Sequence, residues 1–327
     1  MQRILVLNAG SGSQKCSLFQ IAGQAAVPEV LEPIWEASLD STAPDQPPGK
    51  IALRVRRDGE KIEPGTIDEE SSTADRTERL LRLLCEGPAK ILANAAEVNL
   101  IGHRVVHGGD EFVRATRVTD EVEAAIERFA AFAPLHNHSN LTGIRVAQKI
   151  FGAQTPQVAV FDTAFHRTLP EAATVYAGPH DWLGRGIRRY GFHGTSFRWA
   201  SRQAARLLDR PNDPELRLIL CHLGGGCSLC ATVGGRSIDT TMGFTPLDGI
   251  AMSTRSGAID PGILIYLLRE GTSADELEET LNKESGLKGV SGLPGDTRVV
   301  LPAAKNGDAR APTCSRRFHL SALRWDR

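Results

Sequence analysis

The sequence predicts an α/β protein built from two related halves. Three observations carry that prediction. Apolar strand-like runs alternate with helix-period segments along the chain. A length of 327 residues suits about two domains at ~150 residues each. One short device occurs twice, as "LVLNAGSGSQKCSLF" near the N-terminus and "LILCHLGGGCSLCA" at 218–231. Each copy is an apolar strand, one polar residue (Asn8 or His222), a glycine elbow and a second apolar strand.

The elements follow in chain order. Residues 3–8 read as a strand and 16–21 as its hairpin partner. Residues 40–70, rich in Pro, Asp, Gly and Glu, predict a surface excursion. Residues 75–98 have helical periodicity interrupted at Gly87-Pro88. "LIGHRVVHGGDEF" is a short strand running into a glycine-rich loop. Residues 119–133 and 140–151 read as helices, the second capped by Ser139 or Asn140. "QVAVFDTAFH" is a buried strand ending at Asp162. Residues 195–208 predict a helix with Thr195 or Ser196 at its N-cap. The second elbow hairpin occupies 218–233. Pro261 opens a helix over 260–270, and 273–283 forms another. The expected division is 1–150 and 151–311.

Composition removes several classes of function. A formal net charge of −1 supplies no basic field for nucleic acid. No apolar run approaches the ~20 residues of a membrane helix. No charged segment followed by a long apolar core marks a signal peptide. Six cysteines without a disulfide framework suggest a reducing, cytoplasmic setting. "CSLC" has metal-like spacing, but strand alternation turns Cys227 and Cys230 to opposite faces. No His/Cys pair completes a zinc set, so buried structural thiols are expected.

A phosphate approaches backbone closely where side chains are absent, and successive N–H groups in a tight bend make an anion-binding concavity. "NAGSGS" adds hydroxyls at Ser11 and Ser13 and a cation at Lys15, and "HLGGG" adds the imidazole of His222. The alternative is a pair of β-hairpins whose glycines only permit positive φ. Neither elbow is a P-loop, because Gln14 precedes Lys15, and neither has the third glycine of the dinucleotide fingerprint. Two cradles, one per half, suggest a nucleotide held in a cleft between domains.

Polar clusters end the apolar strands: "GHRVVHGGD", "APLHNHSNLTGI", "FDTAFH", "YGFHGTSF" and "TTMGFTPLDGIAMSTRSGAIDPG". Strand-end loops are where sites are usually built. Arg104 and Arg255, each near small residues, suit anion binding or surface ion pairs. His193, between glycines, suits a site or a structural donor, and Asp162 a cleft or an N-cap. His103, His107, His136, His138 and His166 show no metal-binding spacing.

Together these motifs, with "IRRYGFHGTS", "TRSGAIDPG" and "SGLKGVSG", resemble the acetokinase family of the acetate and sugar kinase/Hsp70/actin superfamily. The resemblance runs from Met1 to about Ala311. It implies two actin/ribonuclease H-like domains with an interdomain cleft. It also implies transfer of the γ-phosphoryl of ATP to acetate with Mg²⁺, in a cytoplasmic homodimer. By position, Asn8 would help hold the metal. Ser11, Ser13 and Lys15 would meet the nucleotide phosphates, as would His222, Leu223, Gly224, Gly225 and Gly226. Arg104 would pair with the acetate carboxylate, with Val106 beside it favouring the smaller acid. Asp162 would be the acid/base of the family, and His193 and Arg255 would stabilise the transferring phosphoryl. Asp296, Thr297 and Arg298 would border the adenosine.

Some positions depart from the family pattern. Gly225 stands where Asn is common, Phe197 where His is usual, His138 where Pro is common, and Thr297 where Phe is common. Family members continue past residue 311 into an amphipathic helix, a "GGIGEN"-type adenosine loop and a Mg²⁺-binding Glu. Here 312–327 reads "PTCSRRFHLSALRWDR", without a helical apolar stripe. Codons for Thr313 to Leu320 read one nucleotide later can encode Leu-Ala-Leu-Asp-Val-Phe-Ile. The expectation is a frameshift near residue 311, an out-of-frame tail and an incomplete second domain. Three other readings remain at this stage. They are an inactive remnant that binds nucleotide or phosphate weakly, a kinase for another short acid such as propionate, and a superfamily kinase acting on an alcohol.

Overall fold

A computed structural model describes residues 1–9, 13–22, 31–41 and 47–323. The chain divides into two units, Met1–Phe161 and Asp162–Arg327.

The first unit contains β1 (Gln2–Ala9), β2 (Ser13–Ile21), β3 (Trp35–Asp40), β4 (Lys50–Arg57), β5 (Glu60–Asp68), β6 (Leu100–Val105), β7 (Thr116–Arg117) and β8 (Gln157–Phe161). They form one mixed sheet in the order β5-β4-β3-β2-β1-β6-β8-β7. β1 to β5 form an antiparallel meander, whereas β6 runs parallel to β1 and β8 parallel to β6. Because β8 belongs to this sheet, the division falls after Phe161 rather than near residue 150.

The sheet buries one face by period-two alternation. Leu5 and Leu7, Cys16 and Leu18, Trp35, Ala37 and Leu39, and Ile51, Leu53 and Val55 supply successive rows. Helices α1 (Thr73–Arg82) and α3 (Pro134–Phe151) cover that core with Leu80, Leu81, Val146, Ala147 and Phe151. Trp35 is wholly buried, and its indole N–H donates to Ala89 O at 3.0 Å. α2 (Asp120–Phe129) starts where Thr119 accepts from Val122 N–H, with three acidic residues in its first turn.

Three expectations for this unit are corrected. The segment expected as a surface excursion contains β4 and β5, whose Ile51, Leu53, Val55 and Ile67 point into the core. α1 ends at Arg82, before Gly87-Pro88, and a single 3₁₀ turn at Ala95–Glu97 follows. α3 starts at Pro134, not at Ser139 or Asn140, because proline at N1 fixes φ where no N–H is needed.

The second unit opens with a 3₁₀ segment, Asp162–Thr168, followed by α4 (Glu171–Thr174), α5 (Asp181–Gly184) and α6 (Gly194–Leu207). Next come β9 (Arg217–Leu223), β10 (Cys227–Val233) and β11 (Arg236–Thr240), an antiparallel sheet in the order β11-β10-β9. The last elements are α7 (Pro261–Arg269), α8 (Ala274–Lys283), α9 (Gly286–Ser291), α10 (Thr297–Lys305) and α11 (Ala311–Leu323). Asp260 caps α7 ahead of Pro261, and Ser273 with Glu276 forms a capping box on α8.

Two further expectations are corrected. The α6 N-cap is His193, in the left-handed region at φ 57°, not Thr195 or Ser196, whose hydroxyls bond elsewhere. The tail has an apolar stripe: Ala311 and Cys314 are buried against Leu287 and Val300 of α9 and α10, with Phe318 beside them. Their i, i+3, i+7 spacing is helical, but its residues are mostly small.

Candidate functional site

The structure gathers the expected residues into one group in each unit. In the first unit, Asn8 on β1 is in register with Lys15 on β2 and with Arg104 on β6. An Arg104 Nη1–H donates to Asn8 Oδ1 at 3.1 Å. Asn8, Lys15 and Arg104 line a pocket together with His103, Ser139 and Asn140. Ser13 begins β2 opposite Asp40. Ser11 lies outside the described residues.

Buried amides of α3 hold the loop after Arg104. Val106 N–H donates to Asn140 Oδ1 and His107 N–H to Asn137 Oδ1, both at 3.0 Å. Asn137 Nδ2 returns bonds to His107 O and Ile126 O. The Val106 side chain is almost wholly buried. The next two glycines are required by space. A Cβ on Gly108 would lie 2.6 Å from Phe161 Cδ1, and one on Gly109, at φ +60°, 2.2 Å from Phe129 Cζ. Sequence reading missed Asn137 and Asn140 as site supports. Their signal was two amides three residues apart on one helix face.

In the second unit, the bend between β9 and β10 holds Gly224, Gly225 and Gly226, directly after Leu223. None of these glycines has positive φ, so the elbow is not explained by backbone freedom. Space explains two of them. A Cβ on Gly226 would lie 3.3 Å from His193 Nε2 and 3.5 Å from Arg255 Nη1. A Cβ on Gly224 would lie 3.3 Å from His222 Nε2. Gly225 faces open space.

His193, Arg255 and His222 thus converge on the bend. Arg255 is buried, and its Nη1–H donates to Pro246 O at 3.3 Å. His193 Nδ1 lies 2.7 Å from Ser228 Oγ, and His222 Nδ1 lies 2.9 Å from Ser196 Oγ. Burial pushes the thiols of Cys227 and Cys230 up, to about 11 and about 12. Nothing marks either as a metal ligand, and no His/Cys/Asp/Glu group suited to a metal occurs among the described residues.

Asp162 is wholly buried. Its Oδ1 accepts the Thr195 hydroxyl at 2.6 Å and the Thr195 backbone N–H at 3.4 Å. It therefore anchors the first turn of α6, next to His193. Asp296 caps α10 by accepting Arg298 N–H, and its carboxylate also pairs with the Arg298 guanidinium, which holds its pKa down. Thr297 is the first residue of that helix. Ser253 ties this end to the elbow: its N–H donates to Gly225 O at 3.2 Å and its hydroxyl to Gly295 O.

Two other histidines make buried contacts. His103 Nε2 lies 2.6 Å from Gln157 Oε1, and His166 bridges Ser237 and Phe192 O. Burial pushes His103, His107 and His166 down to about 4. The chemistry of the donor set suits Mg²⁺ in one respect. Asn8 is exposed and its Oδ1 is a hard oxygen, as Mg²⁺ prefers, but that atom already accepts from Arg104, so an ion there would be held largely by phosphate and water.

Known proteins share this architecture. The acetokinase family profile matches residues 3–321. Over 311 residues the chain is 48% identical to an acetate kinase of Gloeobacter violaceus, covering 94% of this chain and 75% of that protein. It is 50% identical over 309 residues to an acetate kinase of a Synechococcus species, covering 94% and 74%. Among solved structures, a propionate kinase of Francisella tularensis superposes with a TM-score of 0.84 at 38% identity, covering 99% of this chain and 79% of that one. A Porphyromonas gingivalis acetate kinase superposes with a TM-score of 0.82 at 35% identity, covering 99% and 78%. On this match across nearly its whole length, the chain belongs to the acetokinase family.

Proposed function

We propose that this chain transfers the γ-phosphoryl group of ATP to acetate, forming acetyl phosphate and ADP. The observation that carries the reading is the convergence of His193 Nε2 and Arg255 Nη1 on the Gly226 backbone, where no side chain intervenes. Relatives named acetate kinase at 48% and 50% identity support it.

In this reaction a carboxylate oxygen attacks the γ-phosphorus and a new O–P bond forms. The bond from that phosphorus to the β,γ-bridging oxygen breaks, and ADP leaves with the electron pair. Acetate has a pKa near ~4–5, like Asp and Glu, so it is ionised at neutral pH and no base is needed. Phosphoryl transfer requires positioning and charge stabilisation above all.

The side chains divide accordingly. Arg104 pairs with the carboxylate, with Val106 bounding its methyl end. His193 and Arg255 stabilise charge on the transferring phosphoryl. Ser11, Ser13 and Lys15 bind nucleotide phosphates, as do His222, Leu223, Gly224, Gly225 and Gly226. Asp296, Thr297 and Arg298 border the nucleoside. Asp162 orients the start of α6 and takes no proton. Mg²⁺, entering with ATP and bound in part by Asn8, would neutralise phosphate charge.

Two accompanying readings complete the proposal. The protein pairs with a second copy; exposed Ile263, Ile265, Tyr266 and Leu268 on α7 favour this, and sedimentation tests it. It works in the cytoplasm. No disulfide joins its cysteines, and among the described residues no helix is long and apolar enough to cross a membrane.

Purified protein with ATP, Mg²⁺ and acetate should yield acetyl phosphate, trapped by hydroxylamine. The propionate kinase neighbour makes propionate the comparison substrate. No hydroxamate from either acid, with nucleotide still bound, would leave a binding protein in place of the enzyme.

A further inference from the structure

His193 and His222 lie face to face, with ring centroids 4.0 Å apart and planes 19° from parallel. Each ring directs Nδ1 to a serine, and the arrangement is reciprocal. His193 caps α6 and meets Ser228 of β10, whereas His222 lies on β9 and meets Ser196 of α6. Ser228 is wholly buried and is the cross-strand partner of His222. The Nε2 edge of each ring faces the glycine bend, as the close approach to Gly226 and Gly224 records.

Charge limits the protonation of this pair. Two imidazolium rings at that separation repel each other, and Arg255 adds a third positive charge beside His193. A neutral imidazole has one donor and one acceptor nitrogen, and the partner of one nitrogen sets the role of the other. A serine hydroxyl takes either role. If the ring donates to serine, Nε2 becomes an acceptor and repels phosphate oxygens. If serine donates to Nδ1, the proton resides on Nε2 and faces the bend.

We propose that Ser228 and Ser196 are positioning residues whose hydroxyls donate to His193 Nδ1 and His222 Nδ1, holding both rings neutral with Nε2–H facing the Gly224–Gly226 bend. The pair then offers two adjacent donors to an anionic phosphoryl group without two stacked positive charges. The contacts fix the Nδ1–serine pairing, whereas the choice of the Nε2–H tautomer and the use of those donors rest on the phosphoryl-transfer reading.

The test is nitrogen NMR of the imidazoles in the full chain carrying ¹⁵N-histidine, at mildly alkaline pH, with His193→Gln and His222→Gln assigning the signals. Both rings should show the Nε2–H tautomer. Ser228→Ala should shift the His193 signature and spare that of His222 in tautomer, and Ser196→Ala should do the converse. Ser228→Thr, which keeps a hydroxyl, should restore the His193 tautomer. Each alanine variant should lower kcat about tenfold while KM for acetate moves less than about twofold. An Nδ1–H tautomer in the unaltered protein overturns the proposal. So do alanine variants that leave both signatures unchanged. Nε2–H tautomers in a protein that phosphorylates no carboxylate would uphold the proposal and reject only the functional reading.

Discussion

The wholly buried Asp162 carboxylate accepts the Thr195 hydroxyl at 2.6 Å, in the first turn of the helix that His193 caps. An orienting role predicts that Asp162→Asn, which keeps an acceptor oxygen, is milder than Asp162→Ala. We expect losses in kcat of about tenfold and about a hundredfold or more, respectively. Equal losses in the two variants, with a rate that follows one carboxylate ionisation, would make Asp162 a proton acceptor instead.

Gly194→Ala should destabilise the fold, because a Cβ there would lie 1.9 Å from Asp162 O. The contact is with backbone, which cannot rotate away. A cost of about 3 kcal/mol or more is expected from such overpacking. Urea denaturation measures it, and an unchanged midpoint would contradict the packing of α6 on Asp162.

The glycine bend separates space from function. Gly226→Ala should fold normally but lose activity, since its methyl would press on His193 Nε2 and Arg255 Nη1. Gly225 faces open space without positive φ, so Gly225→Asn should also fold and add a donor toward phosphate. We expect KM for ATP to fall several-fold, about the value of one hydrogen bond. An increase in KM would mean that the side chain obstructs the nucleotide.

Arg104→Gln should raise KM for acetate by about a hundredfold and leave thermal stability near that of the unaltered protein, the scale expected for a charge-assisted pair. Arg104→Lys should recover only part of this loss, because lysine lacks the planar fork. Full recovery by lysine would reduce the role of Arg104 to a point charge.

Stability should fall as pH drops from about 7 towards about 4. His103, His107 and His166 have pKa values of about 4 in the fold against ~6.5 when unfolded. In that window the unfolded chain binds more protons, so acid favours unfolding. Each buried ring contributes up to about 3 kcal/mol at neutral pH, lost progressively through the window. A urea midpoint unchanged between pH 7 and pH 5 would show that these rings are not buried neutral.

Much of this was legible in the sequence because it depended on local pattern. The two elbow hairpins followed from apolar runs broken by glycine, and β1 with β2 and β9 with β10 occupy the expected stretches. The candidate-site stretches, whose roles are proposals, were marked by polar residues at the ends of apolar runs. What stayed hidden depended on tertiary packing. The alternation of Ile51, Leu53 and Val55 was masked by the Pro- and Asp-rich residues before it and Gly59 after it. The His193 cap uses a left-handed backbone and a glycine pressed on Asp162, which no side-chain capping pattern announces. Ser196 and Ser228 looked like ordinary helix and strand residues, and only the fold pairs each with a histidine.

Ser253 reaches in both directions, to the carbonyls of Gly225 and Gly295. Two hydrogen bonds thus form a tether between the triple-glycine bend and the residue before the α10 cap. The Ser253 backbone N–H holds one side and its hydroxyl the other, so a shift of the bend is passed through this one residue to the chain entering α10.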